Sequence, residues 1–157
     1  MSATHLIVAG VDGSEGGRRA LDWAVTEASG RGGAVQAVVA WSWDGMEYGP
    51  IAATSPREAA DQAAALLDRE VKALVARHGS HVPVAGEIIE GRPADVLTAA
   101  ARTANLLVLG SHGHSRVRHT VLGSVSEECI RKAVCPVVVL PVPVDQPAPS
   151  SEPAVRR

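Results

Sequence analysis

Short aliphatic runs alternate along this chain with longer stretches in which apolar residues recur at helical spacing, and that alternation leaves few folds open. Residues 5–11 read HLIVAGV, nearly continuous in aliphatics, as expected of a strand covered on both faces. Asp12-Gly13-Ser14 breaks the run, and Ser14 suits the N-cap of a helix whose Ala20, Leu21, Ala24, Val25 and Ala28 form one apolar stripe. Gly30, Gly32 and Gly33 end that helix, and residues 34–41 form a second strand. Residues 42–56 carry Gly45, Gly49 and Pro50 without a clear period and read as a long mobile loop. A second helical stripe spans 57–78 and is closed by Gly79, and a third strand follows at 82–90.

Gly91-Arg92-Pro93 turns into a third helix with Pro93 at its first position, and Val96, Leu97, Ala100 and Ala101 face inward. Residues 106–110 make a fourth strand, a last helix starts at Ser124 and ends near Ala133, and 137–142 make a fifth strand bearing Pro141. Strands separated by helical crossovers predict βαβ units around a parallel sheet. Right-handed crossovers then give an α/β fold, a doubly wound five-stranded parallel sheet of order 3-2-1-4-5 with helices on both faces, in a single domain. Ligands in such folds bind beyond the carboxyl ends of the strands, where the winding reverses, here between strands one and four. The loops at that point are Val11-Asp12-Gly13 and the segment from Gly110.

The chain's 157 residues suit one domain that needs neither disulfide nor structural metal. The domain is expected over residues 1–142, and a disordered tail over 143–157, where Pro147, Pro149 and Pro153 fall. A net charge of -2 offers no global field for nucleic acid or an anionic membrane, so an anion site must be local. The N-terminus lacks a basic region before an apolar run, and no segment approaches the about 18–20 apolar residues of a membrane span. A cytoplasmic protein is expected. Cys129 and Cys135 stand six apart, fitting neither a redox pair nor a zinc knuckle, and are read as reduced packing residues.

Residues 110–126, GSHGHSRVRHTVLGSVS, place a glycine at the end of a strand, then an excursion, then a helix start. Each part suits a polyphosphate. Glycines at 110, 113 and 123 allow positive φ and close backbone approach, and amides at Gly123, Ser124 and Val125 sit where the helix dipole favours negative charge. The hydroxyls of Ser124 and Ser126 can donate to phosphate oxygens, while His112, Arg116 and Arg118 can add charge-assisted contacts. There is no Lys after Gly123, so this is not a Walker A loop, and the Rossmann GxGxxG would follow strand one instead.

The spacing Gly-x2-Gly-x9-Gly-Ser over 110–124 resembles the ATP-binding branch of the universal stress protein family. Val11-Asp12-Gly13-Ser14 after strand one, Val39-Ala40-Trp41-Ser42 closing strand two, and Cys135-Pro136-Val137-Val138-Val139 extend the likeness over residues 5–142. The resemblance implies ATP as ligand, with Asp12 on the ribose or adenine side and the backbone near Ala40 at the adenine edge. It further implies Gly110, His112 and Gly113 around the phosphates, with Gly123, Ser124, Val125 and Ser126 closing their site. It also implies a homodimer through strand 137–142, an apolar edge that wants covering. This chain departs from the family in carrying His114, Arg116, Arg118 and His119 between the second and third motif glycines.

Competing readings stand beside these. Ser124 and Glu127 have the spacing of a capping box, which needs that serine in a protein binding nothing. Asp12 before a glycine is also a plain turn former. His112, His114 and His119 lack a zinc-ligand spacing, whereas Mg2+ or Mn2+ bound through ATP phosphates needs few protein ligands. Of Trp41 and Trp43, one is expected in the core and the other at the rim, with stacking on adenine as the alternative. Glu87 and Glu90 are expected on the solvated side of strand three. No nucleophile, carboxylate pair or triad is evident. The leading expectation is a nucleotide-dependent stress or signalling switch with an unidentified protein partner. The alternatives are slow ATP hydrolysis, with a water aligned by His112 or His114, or a partner-binding module whose loop stays empty.

Overall fold

The computed structural model describes residues 4–43, 53, 55–113 and 122–141. Its elements alternate as β1 (Leu6–Gly10), α1 (Glu15–Arg31), β2 (Ala34–Trp41), α2 (Pro56–His78), β3 (Val84–Glu90), α3 (Pro93–Ala100), β4 (Leu106–Gly110), α4 (Ser124–Lys132) and β5 (Val137–Leu140). A 3₁₀ turn at Ala101–Thr103, absent from the sequence reading, separates α3 from β4. The five strands form one parallel sheet in the order β3-β2-β1-β4-β5, the expected doubly wound topology.

The central strands are buried on both faces, which explains their unbroken aliphatic character. Ile7 and Ala9 of β1 face a core built with Ala20, Leu21, Ala24 and Ala28 of α1 and Leu74 of α2. Their neighbour Val8 faces a second core with Val96 and Leu97 of α3, Leu107 and Leu109 of β4, and Cys129 of α4. Trp41 packs against the first core while Trp43 is 38% exposed, so the two indoles divide between core and surface. Glu87 and Glu90 are exposed, and Glu87 accepts a hydrogen bond from Gln36.

Helix ends follow local chemistry. Ser14 caps α1 by accepting from the Gly17 amide at 3.1 Å, and Ser55 caps α2 by accepting from Glu58 at 3.2 Å. Gly32 ends α1 in the left-handed conformation at φ 62. The two helices on the first face are joined by Arg18, which donates to both carboxylate oxygens of the buried Glu70 at 3.2 Å. On α1, Asp22 also accepts from Arg77 at 2.8 Å. Cys129 is buried and Cys135 partly so, and both thiols are free. Most of the expected loop at 42–56, Val142 and the tail at 143–157 lie outside the described residues.

Candidate functional site

At the carboxyl ends of β1, β2 and β4 the sheet opens into a cavity of about 580 Å3. Its lining includes the apolar Val38, Ala40, Leu97 and Leu109 as well as Asp12, His112, Gly113 and the start of α4. This is the switch point of the sheet, where neighbouring loops part to opposite faces.

The chain leaves β1 at Val11, whose amide donates to Val38 at 2.8 Å. Gly13 follows with φ 77, a left-handed conformation that closes the turn. Within it the Asp12 carboxylate accepts through Oδ1 from the Ser14 amide at 2.9 Å and from the Ser14 hydroxyl at 2.5 Å. Ser14 Oγ in turn accepts from Gly17, so Asp12 forms the turn and anchors the α1 cap as well as lining the cavity. The turn-forming reading of this residue is realised in its geometry.

Across the cavity, the Ser111 amide donates to Leu140 at 2.8 Å, and the Ser111 carbonyl accepts from the Gly123 amide at 2.6 Å. Both ends of the intervening segment are thereby fixed to the sheet. Gly123 is the N-cap of α4, extended at φ -70 and ψ 163 with no side-chain cap, and the first intrahelical bond runs from Glu127 to the Gly123 carbonyl at 3.0 Å. The amides of Ser124, Val125 and Ser126 precede that bond, at the positive end of the helix dipole. Ser124 is therefore the first helical residue and not the cap, so the expected capping box with Glu127 does not form. Ser111 takes the Gly123 amide, and the helix starts at Ser124 as expected.

The motif glycines correct the sequence reading. None of Gly110, Gly113 and Gly123 has positive φ; among the described residues only Gly13, Gly32, Gly79 and Gly91 do. They serve close approach instead. A Cβ on Gly110 would lie 2.6 Å from the carbonyl carbon of Gly16, one on Gly113 would lie 2.8 Å from Asp12 Oδ2, and one on Gly123 would lie 3.1 Å from the Ser111 carbonyl oxygen.

Ser126 is a second departure. It lines the cavity but is buried, and its hydroxyl donates to the Gly110 carbonyl at 2.6 Å, with the Ser111 carbonyl at 3.3 Å. The hydrogen expected to meet a phosphate is directed at β4. His112 lines the cavity with Nδ1 3.1 Å from the Ser111 hydroxyl.

Of the residues singled out from sequence, Val11, Asp12, Ala40, Gly110, His112, Gly113, Gly123, Ser124, Val125 and Ser126 converge on this cavity. Gly13 shapes the turn without lining it, and Arg116, with His114, Arg118 and His119, lies outside the described residues. Sequence reasoning did not place Val38, Leu97, Leu109 or Pro93 at the site. Val38 and Ala40 share a strand face by their spacing of two, which is the signal that was available. Among the described residues of the cavity wall there is no Arg or Lys; His112, Asp12 and Glu127 are its titratable side chains.

Outside the wall, Glu128 of α4 accepts from Lys132 at 2.8 Å and faces Arg92 at 3.3 Å, while Lys132 reaches Asp95 at 3.1 Å. These bridges tie α3 to α4. The hydrogen bond from Lys132 holds the Glu128 carboxyl below its usual range, and the same bond raises Lys132. Beneath α4, burial pushes the Cys129 thiol up to about 11, and burial also raises Cys135.

The fold and the cavity define a doubly wound α/β domain with a crevice at its switch point. Residues 4–141 match the universal stress protein family, and the chain belongs to it. Universal stress protein Rv1996 of Mycobacterium tuberculosis is 34% identical over 147 residues, 92% of this chain and 46% of that protein. The chain thus spans about half the length of the curated relatives it matches. Among solved structures, a universal stress protein in complex with cAMP is 26% identical with a TM-score of 0.62, covering 88% of this chain and 98% of its own. The Archaeoglobus fulgidus universal stress protein in complex with dAMP, 24% identical with a TM-score of 0.61 over 88% of this chain and 98% of its own, shares the fold. No helix among the described residues is long and apolar enough to cross a membrane.

Proposed function

We propose that this chain belongs to the ATP-binding branch of its family and acts as a nucleotide-dependent stress or signalling switch. The observation that carries the reading is the first turn of α4: Ser124, Val125 and Ser126, whose amides lead the helix, line a cavity that Val38, Ala40, Leu97 and Leu109 also line. Phosphate suits such a helix start, since amide donors and dipole act together. The cavity volume lies in the range of small-ligand sites, and Val38, Ala40, Leu97 and Leu109 fit an apolar purine face. Asp12, also on the cavity wall, is an acceptor suited to ribose hydroxyls. The cAMP complex of a relative at 26% identity supports an adenine nucleotide.

Mg2+ or Mn2+ would be held through the phosphates and water. The described residues hold no group of three or more metal-ligating side chains, and hard cations of this kind tolerate few protein ligands.

As a switch, the chain presents a different surface around the crevice mouth when loaded, and a protein partner reads that surface. Pairing of two copies through β5, which ends the sheet and is half-buried along its length, completes the proposal. Thermal denaturation with and without ATP tests the nucleotide reading. Saturation at 100 times Kd should stabilise the fold by about 2.7 kcal/mol. A melting temperature indifferent to saturating ATP with Mg2+ would remove it. Light scattering at micromolar concentration should give twice the chain mass, and a monomer would remove the pairing.

A further inference from the structure

Ser126 sits on the third position of α4 with its side chain turned away from solvent, and its hydroxyl reaches back to the end of β4. The donor is 2.6 Å from the Gly110 carbonyl oxygen and 3.3 Å from that of Ser111. A serine has one hydroxyl hydrogen, so while it serves these carbonyls it cannot also meet a ligand. From the other side of the same junction, the Gly123 amide donates to the Ser111 carbonyl at 2.6 Å. Two bonds, one from the cap and one from the first turn, converge on the carbonyl that ends β4 and the one that follows it. Between them lie Ser124 and Val125, both of which line the cavity.

We infer that Ser126 is a positioning residue: its hydroxyl holds the first turn of α4 against the end of β4, so that the leading amides are aimed into the crevice before a phosphate arrives. The inference rests on the nucleotide reading above. Its physical content is preorganisation. Amide donors at a helix start bind phosphate through their direction, and a turn free to pivot loses that direction. Removing the hydroxyl also leaves the Gly110 carbonyl without this donor, which favours a shift of the turn.

The test compares ATP with adenosine, by competition, in the wild-type chain and in Ser126→Ala. The expected result is a loss of ATP affinity on the order of tenfold, the scale of one buried hydrogen bond, with adenosine affinity held within about twofold. Ser126→Thr, which keeps the hydroxyl, should bind ATP more tightly than Ser126→Ala. Should Ser126→Ala not fold, Ser126→Cys, with a weak donor of similar size, carries the same comparison. Equal weakening toward ATP and adenosine, or unchanged ATP affinity, would overturn the positioning role while leaving the nucleotide reading intact. A wild-type chain that binds neither ligand would remove the nucleotide reading first, and this inference with it.

Discussion

Gly110 at the end of β4 lies so close to Gly16 in the first turn of α1 that a methyl group on it would stand 2.6 Å from the Gly16 carbonyl carbon. The contact is backbone to backbone, and no side chain can swing aside to relieve it. Gly110→Ala is therefore expected to destabilise the fold by about 2–3 kcal/mol, the overpacking range, whether or not nucleotide is present. Denaturant unfolding with and without ATP checks this. A variant as stable as wild type would show that the junction yields. Because the substitution acts on the fold, loss of binding in Gly110 variants is not a clean report on the site.

Gly113 offers the cleaner probe. An added Cβ there meets Asp12 Oδ2 at 2.8 Å, the mobile end of a side chain, so the structure can adjust. Turning the carboxylate disturbs its bonds to Ser14 and its place on the cavity rim. Gly113→Ala is expected to cost less than about 1 kcal/mol in stability but to weaken ATP several-fold, on the scale of one disturbed polar contact. Calorimetric titration beside a thermal melt separates the two effects. Unchanged ATP affinity would place Asp12 outside the binding machinery.

Much of this was legible in the sequence. Nearly continuous aliphatics at 5–11 marked a strand buried on both faces, and the alternation of strands and helices with the expected order 3-2-1-4-5 matches the observed sheet. The crevice was also located, because topology and the glycine spacing pointed to the same two loops. What escaped was contact at long range. Glycine at 110 announces close approach but not to what, and Gly16 lies on a different element. The cap of α4 could not be read from S-x-x-E alone, since the bond from Gly123 to Ser111 decides it. Ser126 looked like a ligand donor because its strand-end acceptors are invisible in a linear chain.

Glu70 was equally illegible, its partner being 52 residues away. Its side chain is only 3% exposed and is held by Arg18, itself 51% exposed. Arg18→Met would leave a buried carboxylate uncompensated, at an expected cost of about 2 kcal/mol, below the value for a fully buried pair because Arg18 is half in water. Replacing both with apolar residues should recover most of that loss. Urea midpoints for the two singles and the double settle it, and a single Arg18 variant with unchanged midpoint would contradict the pair's role.

The cysteines set an alkaline limit. Burial raises the native Cys129 thiol from the ordinary 9.0 to about 11. Between these values the unfolded chain releases a proton that the native chain retains, so stability is fully present below about 9 and declines as pH rises toward 11. Cys129→Ala should flatten that decline, although it lowers stability at neutral pH by leaving a small cavity. In the native protein at pH 8 a thiol reagent should modify the partly exposed Cys135 first and Cys129 only on unfolding. Two equally fast thiols would contradict the burial.

The most direct measurement is of what the chain already carries. Protein purified without added nucleotide is denatured, and the released small molecules are identified by chromatography and mass spectrometry. The account predicts ATP near one equivalent per chain, much reduced in Gly113→Ala. No adenine nucleotide on release, and none taken up when ATP and Mg2+ are supplied, would contradict the central claim that the crevice between β1 and β4 is a nucleotide site.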